Sequence, residues 1–472
     1  MNATEPVSPE DATLWCATAG GAQLQIGALC RFEGAPLRGP DGEVRTGDLR
    51  AHVASRLHLM PRFRQRIREV PLDLARPVWV DDADFDLDRH LCFATLPEPG
   101  DPDRLRAFVG DLIGRPLDPL HPLWDMWLID GLDDGTDDIA VVLRTHHVVA
   151  DGLSLLRAAV ALLDFEEGPS APDSIPVWSA AREPDALGLV VGGLAARYRS
   201  QLAFGINTTR RMLDPRRILD PNRALRATRS LASSLTSRPR PAPRLELTGR
   251  VGANRDFVWS SLPMEPLREL AHSREVTLND VVLSIVCGAL RRLVGPENAN
   301  RMGGRPPKVL VPVGDSAADE GGGNAFSFVV TTLPVDLGDP ADVLDRIHAD
   351  MCERKASQQS ADMLSLFSVV DLIPVPALRR LAPALLARQP FVNLAVTNLP
   401  GSPVPLYLLG SRLLSLQPIV TGVGNIACIV GVLSYCGELG IGITVDRDVV
   451  PDAERFRDGM LAAAAELLDR RP

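Results

Sequence analysis

The sequence predicts an α/β fold of two halves joined by a long, basic, partly helical connector. Three observations carry this. Strand and helix patterns alternate over residues 1–165 and again from Leu245 to the end. Between them, over 166–244, the composition changes abruptly to Pro, Ser and Arg. The 472 residues are 45% hydrophobic and 23% charged, which supplies core enough for more than one unit.

In the first half, the opening "MNATEPVSPEDATLW" is polar and acidic and lacks the basic and apolar regions of a secretory signal. The seven cysteines (16, 30, 92, 287, 352, 428, 436) are odd in number, scattered, and show no CxxC spacing. They read as buried thiols in a reducing compartment, so a cytoplasmic protein is expected. A net charge of −10 argues against nucleic acid as a partner. The half ends on an apolar strand, "DIAVVL" (138–143), the turn "RTHHVVADG" (144–152), and a helical pattern, "LSLLRAAVALL" (153–163). Asp151 stands where a helix N-cap would, a role worth ~1 kcal/mol, and Gly152 can relieve a tight turn. Such a turn also presents His147 at an open edge, and an imidazole near its reference pKa of ~6.5 is the natural general base at neutral pH.

The connector, 166–244, starts as a Pro/Ser-rich loop and continues as an interrupted helix over 186–235. From Arg197 to Arg244 it holds twelve arginines, no lysine and two aspartates, and "SRPRPAPR" (237–244) reads as extended. Either it is a solvated arginine face packed across both halves, or it is an interfacial helix that meets an anionic surface. In the second half, Thr277 and Asp280 form a capping box ahead of a buried helix. The uncharged run Leu413–Tyr435 is long enough to span a membrane, but Pro418, Gly422, Gly424 and Asn425 interrupt it. Two buried strands joined by a turn fit better. The "GVGNIA" inside it leads into a strand rather than a helix, so it is no dinucleotide fingerprint.

The chain has no G-x-S-x-G elbow, cysteine nucleophile signature, P-loop or HExxH, and no metal-ligand spacing surrounds His146 and His147. A base without a protein nucleophile suggests direct transfer, in which His147 deprotonates an alcohol that attacks an activated acyl group.

At these residues the chain resembles the HHxxxDG acyltransferases, which share the chloramphenicol acetyltransferase-like fold with peptide-synthetase condensation domains. Further stretches are similar to blocks of the bacterial wax ester synthase/diacylglycerol acyltransferase family, in the family's order. They are "SPEDATLW" (8–15), "PLW" (122–124), "LNDVVL" (278–283), "GGGNAFSF" (321–328), "TNLPG" (397–401) and "LSYCGELGIGITVDRDVVPD" (433–452). The resemblance implies two domains of mixed sheet with flanking helices and an active-site channel between them. It implies acyl-coenzyme A as co-substrate with no cofactor or metal, and diacylglycerol or a long-chain alcohol as acceptor. It makes His147 the general base, with His146 in support. Asp151 would hold the loop by pairing with an arginine, and Asn279 would line the channel. Asp280 is expected as a cap, Trp124 as core, and Thr397 or Asn398 as a donor to the developing oxyanion. Contact with a membrane or lipid-droplet surface follows from such acceptors. The chain departs from the family at "VPVGDS" (311–316), which lacks the usual arginine, and at N-L-P-G-S in place of N-V-P-G-P; both bear on acceptor choice. Two other readings are an acyltransferase for polyketide or small alcohol acceptors and a non-catalytic lipid-binding relative.

Overall fold

A computed structural model describes residues 4–469 other than 20, 22, 134, 169–175, 214–240, 303–304, 315–325 and 357–372. The first half runs β1 (Glu5–Pro6), α1 (Pro9–Ala19), β2 (Gln25–Phe32), α2 (Thr46–Arg56), β3 (Gln65–Arg68), β4 (Val78–Asp81), β5 (Leu91–Thr95), α3 (Pro102–Gly114), β6 (Trp124–Asp130), β7 (Ile139–His146) and α4 (Gly152–Leu162). The connector contributes α5 (Ala186–Leu213). The second half runs β8 (Arg255–Pro263), α6 (Met264–Ser273), α7 (Leu278–Val294), α8 (Pro296–Arg301), β9 (Lys308–Gly314), β10 (Phe326–Thr332) and α9 (Pro340–Ala356). It ends with α10 (Val375–Ala387), β11 (Leu394–Leu399), β12 (Tyr407–Leu408), β13 (Ser411–Val420), β14 (Cys428–Tyr435), β15 (Glu438–Asp446) and α11 (Ala453–Asp469).

Two six-stranded mixed sheets organise the chain, in the orders β12-β13-β2-β7-β6-β5 and β10-β9-β11-β14-β15-β8, with a small third sheet β1-β4-β3. The run 413–435 is indeed two buried strands, but each belongs to a different sheet. β13 leaves the second half to pair antiparallel with β2, while β14 pairs with β11 and β15. The sheets therefore do not divide where the connector divides the chain. Glycines let β13 cross over the second sheet. A Cβ at Gly440 or Gly442 would lie 1.9 Å from the carbonyl oxygen of Leu416 or Pro418. Only a bare backbone permits that approach.

A second tie is α3 against β8, where Arg106 grips Asp256 through Nε and Nη2 at 2.8 and 2.5 Å. A bidentate pair of this kind fixes orientation as well as distance. A third is α1 against α10, whose shared apolar cluster holds Cys16, Val375, Leu378 and Ala382. None of the seven cysteines is disulfide-bonded, and Cys352 is exposed. No described helix is long and apolar enough to cross a membrane.

The connector's first part is docked on the small sheet. The Arg64 guanidinium lies 4.6 Å from the Trp178 ring centroid, and Glu183 pairs with both Arg66 and Arg68. Asp185 caps α5 by accepting from the Gly188 N–H at 2.8 Å. Leu189 then packs among Val70, Ala75, Val78 and Val80. The opposite face of α5 is apolar and open to solvent: Leu187, Val191, Leu194, Tyr198 and Leu202 are 44–70% exposed. Residues 214–240, which include Arg216, Arg217 and the first half of "SRPRPAPR", lie outside the described residues, as do the side chains of Arg210 and Arg211. The same holds for Asp315 and Ser316 of "VPVGDS" and for most of "GGGNAFSF".

Candidate active site

β7 is a central strand, buried along its whole length. It is pinned at its end from both sides: the His146 N–H donates to the Leu123 carbonyl at 2.9 Å and the His147 N–H to the Leu24 carbonyl at 2.8 Å. The chain then turns, and Asp151 caps α4, its Oδ1 accepting from the Ser154 N–H at 2.7 Å. Among the described residues no arginine pairs with Asp151, which corrects the expected salt bridge. The cap uses the carboxylate instead.

The arginine that matters is Arg144, two residues before His146. Its Nε and Nη2 donate to Oδ1 and Oδ2 of Asp125, each at 2.7 Å. Its Nη1 reaches the carbonyls of Arg115 (2.8 Å) and Leu112 at the C-terminal end of α3, and Oε1 of Gln25 at 3.2 Å. This buried cluster joins β2, β6, β7 and α3 beneath the histidines. The signal was present in the sequence: one arginine and one aspartate inside otherwise apolar strands.

His146 is buried and its hydrogen bonds fix its state. Nδ1 accepts from the Val148 N–H at 3.1 Å. The Thr18 hydroxyl donates to the Leu14 carbonyl, so it accepts from Nε2–H of His146, 2.9 Å away. Burial, aided by the charge of His147 when present, pulls the His146 pKa down to about 3. His146 is a neutral, doubly satisfied ring. His147 differs. Neither of its ring nitrogens makes a side-chain hydrogen bond among the described residues, and Nδ1 is enclosed. Burial lowers its pKa, against the opposing pull of its own backbone carbonyl and the Asp151 carboxylate.

α1 serves the same place. Ser8 caps it, accepting from the Asp11 N–H at 3.0 Å and donating to Oδ2 of Asp11 at 2.8 Å. Pro9 at the first helical position suits that start. Asp11 is lifted to about 6, first by burial, with Glu10 and Asp151 adding repulsion against the pull of Ser8 and Arg62. At the other end of α1, Trp15 meets His146 edge-on at 6.0 Å. A cavity of about 610 Å³ opens there, lined by Trp15, Thr18, Arg66, Leu117, Leu123 and His146 among others. That size lies within the usual range for small-molecule sites.

The second half approaches at Gly152. A Cβ there would come 2.6 Å from Cδ1 of Leu399, so the start of α4 abuts the end of β11. Along β11, Leu394 and Val396 join the core of the second half, and Asn398 shares their face. Thr397 alternates onto the face of Ala395 and Leu399, the one that meets α4. Of the two expected oxyanion donors, Thr397 is thus on the side of the histidine turn and Asn398 is not. Trp124 is core: it donates from Nε1 to the Phe63 carbonyl at 2.8 Å and stacks on His90 at 4.6 Å. Thr277 and Asp280 make a complete capping box on α7, and Oδ2 of Asp280 also accepts from Nδ1 of His348 at 2.8 Å. No hydrogen bond among the described residues brings Asn279 to His147. Among the described residues, no group of three or more His, Cys, Asp or Glu side chains is placed to hold a metal ion.

Comparison with known proteins agrees with this geometry. The profile of the wax ester synthase/diacylglycerol acyltransferase catalytic domain matches residues 7–282, and that of the family's C-terminal domain matches 322–467. The chain is 31% identical over 453 residues to the Mycobacterium tuberculosis protein named "Probable diacyglycerol O-acyltransferase tgs1", covering 94% of this chain and 91% of that one. A Mycobacterium bovis relative carrying a diacylglycerol O-acyltransferase name matches equally. The wax ester synthase/diacylglycerol acyltransferase of Marinobacter aquaeolei has a similar fold, with a TM-score of 0.68 at 22% identity over 98% of both chains. The first condensation domain of the calcium-dependent antibiotic synthetase gives 0.58 at 16%, over 99% of this chain and 96% of that one. With two chloramphenicol acetyltransferase-like halves and both family profiles matched in order, this chain belongs to the wax ester synthase/diacylglycerol acyltransferase family.

Proposed function

We propose that the protein moves a long-chain acyl group from acyl-coenzyme A to diacylglycerol or a long-chain alcohol, with His147 as general base. The observation that carries this is the contrast between the two histidines. His146 has both nitrogens committed and stays neutral, whereas His147 has no described side-chain partner and a lowered pKa, so it is unprotonated at neutral pH. With the proton on the enclosed Nδ1, Nε2 is the basic atom. It takes the acceptor's hydroxyl proton as the oxygen attacks the thioester carbonyl, then returns it to the departing coenzyme A thiolate. Thr397, on the strand face that meets α4, is the better placed of the two candidates to donate to the oxyanion. A thioester is already activated, so the reaction calls for no covalent enzyme intermediate, cofactor or metal.

Diacylglycerol resides in a bilayer, and the exposed apolar stripe of α5 supports docking there. Leu187, Val191, Leu194, Tyr198 and Leu202 share one helical face that the protein leaves bare. The deciding assay offers palmitoyl-coenzyme A with diacylglycerol, hexadecanol and short alcohols in turn. Wild type should acylate the long-chain acceptors, and His147→Ala should lose at least ~10²-fold in turnover with its fold intact. Near-normal turnover by that variant would remove His147 from the chemistry. Activity on short alcohols alone would favour the small-acceptor reading, and none on any acceptor the lipid-binding one.

A further inference from the structure

α9 carries, well along the chain from the histidine turn, a second ordered set of side chains that acyl transfer through His147 does not use. Cys352 and His348 stand one helical turn apart, with Sγ 3.6 Å from Nε2. On its other side His348 places Nδ1 2.8 Å from Oδ2 of Asp280, a buried carboxylate fixed by the capping box of α7. The same Oδ2 accepts from the Thr277 N–H at 3.0 Å, and Oδ1 is buried with no partner. A carboxylate only accepts, so the neutral imidazole keeps its proton on Nδ1. The basic nitrogen, Nε2, then faces the thiol. Cys352 is exposed, while Cys16, Cys287 and Cys428 are buried. Thiol, base and orienting carboxylate in this order are the arrangement that activates a nucleophile. His348 here acts as a base poised beside a thiol.

We propose that Cys352, His348 and Asp280 form a second nucleophilic site, at which the Cys352 thiol takes acyl groups from soluble acyl thioesters. His348 accepts the thiol proton as sulfur attacks the thioester carbonyl. The bond from that carbonyl to the incoming thiol ester's sulfur breaks, and the imidazolium returns the proton to the departing thiolate. One thioester replaces another, so no oxidant or reductant enters. The choice of electrophile rests on the acyl-thioester reading above, whereas the activation of the thiol does not.

The experiment therefore has two arms. The full-length protein and its Cys352→Ser, His348→Gln and His147→Ala variants are treated with limiting iodoacetamide at pH 7 and, separately, with octanoyl-coenzyme A. Adducts are located by peptide mass spectrometry. His348→Gln keeps an amide donor for Asp280 while removing the base, so the cap of α7 survives. Cys352 should alkylate first among the seven thiols, and His348→Gln should slow it about ten-fold or more. Octanoyl-coenzyme A should leave one octanoyl group on Cys352, removable by neutral hydroxylamine. That group should be absent from Cys352→Ser, reduced in His348→Gln and retained in His147→Ala. Alkylation equally fast in His348→Gln overturns the activation. An activated thiol that acquires no octanoyl group overturns the thioester assignment. Loss of the adduct in His147→Ala overturns direct attack, because the acyl group would then arrive by way of the other site. O-acyl transfer by Cys352→Ser should equal wild type, so the failure of this inference and that of the His147 mechanism are separable.

Discussion

Replacing Asp125 by Ala should unfold the first half more readily than any surface change, because it strands the Arg144 guanidinium. Wild-type Arg144 makes two hydrogen bonds of 2.7 Å to the carboxylate, and its remaining partners are the neutral oxygens of Leu112, Arg115 and Gln25. Breaking a buried pair from one side costs ~3–5 kcal/mol, since the surviving charge keeps its desolvation penalty without its counter-ion. Arg144→Met should cost as much or more. It leaves Asp125 alone, and it also removes the donor to two carbonyls at the end of α3, a further ~1–3 kcal/mol for an unsatisfied buried group. The double variant Asp125→Leu/Arg144→Met contains no stranded charge. Its cost should fall back to those carbonyls, ~1–3 kcal/mol, below either single change. Urea unfolding followed by tryptophan fluorescence reads this directly, since Trp124 and Trp127 flank Asp125 on β6. Midpoints are to be compared at equal slope. An Asp125→Ala protein that unfolds at the wild-type midpoint would refute the argument. So would a double variant less stable than both singles.

The remaining predictions use the same structure. The folded His146 pKa, about 3, lies below the ordinary 6.5, so the unfolded chain takes up the proton first. Stability from this residue is full above pH ~6.5 and drains as pH falls toward 3, and His146→Gln should flatten that acid slope. Asp11 has the opposite sign: raised from 3.8 to about 6, it favours the fold below pH 3.8 and loses that contribution as pH rises through 6. Asp11→Asn should therefore melt higher than wild type at pH 8 and alike at pH 4, and a lower melting temperature at pH 8 would show that the carboxylate is needed. Replacing Leu187, Val191 and Tyr198 of α5 with Ser should release the protein from anionic liposomes in a flotation assay while sparing activity on a soluble short-chain alcohol. Equal flotation would return α5 to a plain surface helix. Wild-type binding should also weaken with salt if the connector arginines contribute, because screening shortens their reach.

What the sequence disclosed and what it withheld follow a physical division. Local rules were legible. Asp151 and Thr277 each cap the helix that follows, and the breakers inside 413–435 marked two strands rather than a span. Each of these depends on residues within a turn or two. The choice of partner sheet was not legible, because nothing local in "SRLLSLQPIV" distinguishes β2, almost 400 residues away, from β14, which follows it at once. The histidine pair was visible as a motif, and the family resemblance implied its roles, with His147 as base and His146 in support, but the physical reason for that division was not legible. That division depends on Thr18 reaching His146 from α1 and on no described group reaching His147. In the connector the arginines drew the eye, yet the feature that sets α5 apart is which face it buries. Spacing alone shows two candidate faces, and only the packing of Leu189 against Val70 and Val78 decides which is bare. An apolar face left in water forgoes the stability its burial would give, about 25 cal/mol for each Å². Its retention on α5, whose opposite side packs against the small sheet, is what supports the proposal that this face docks on a bilayer.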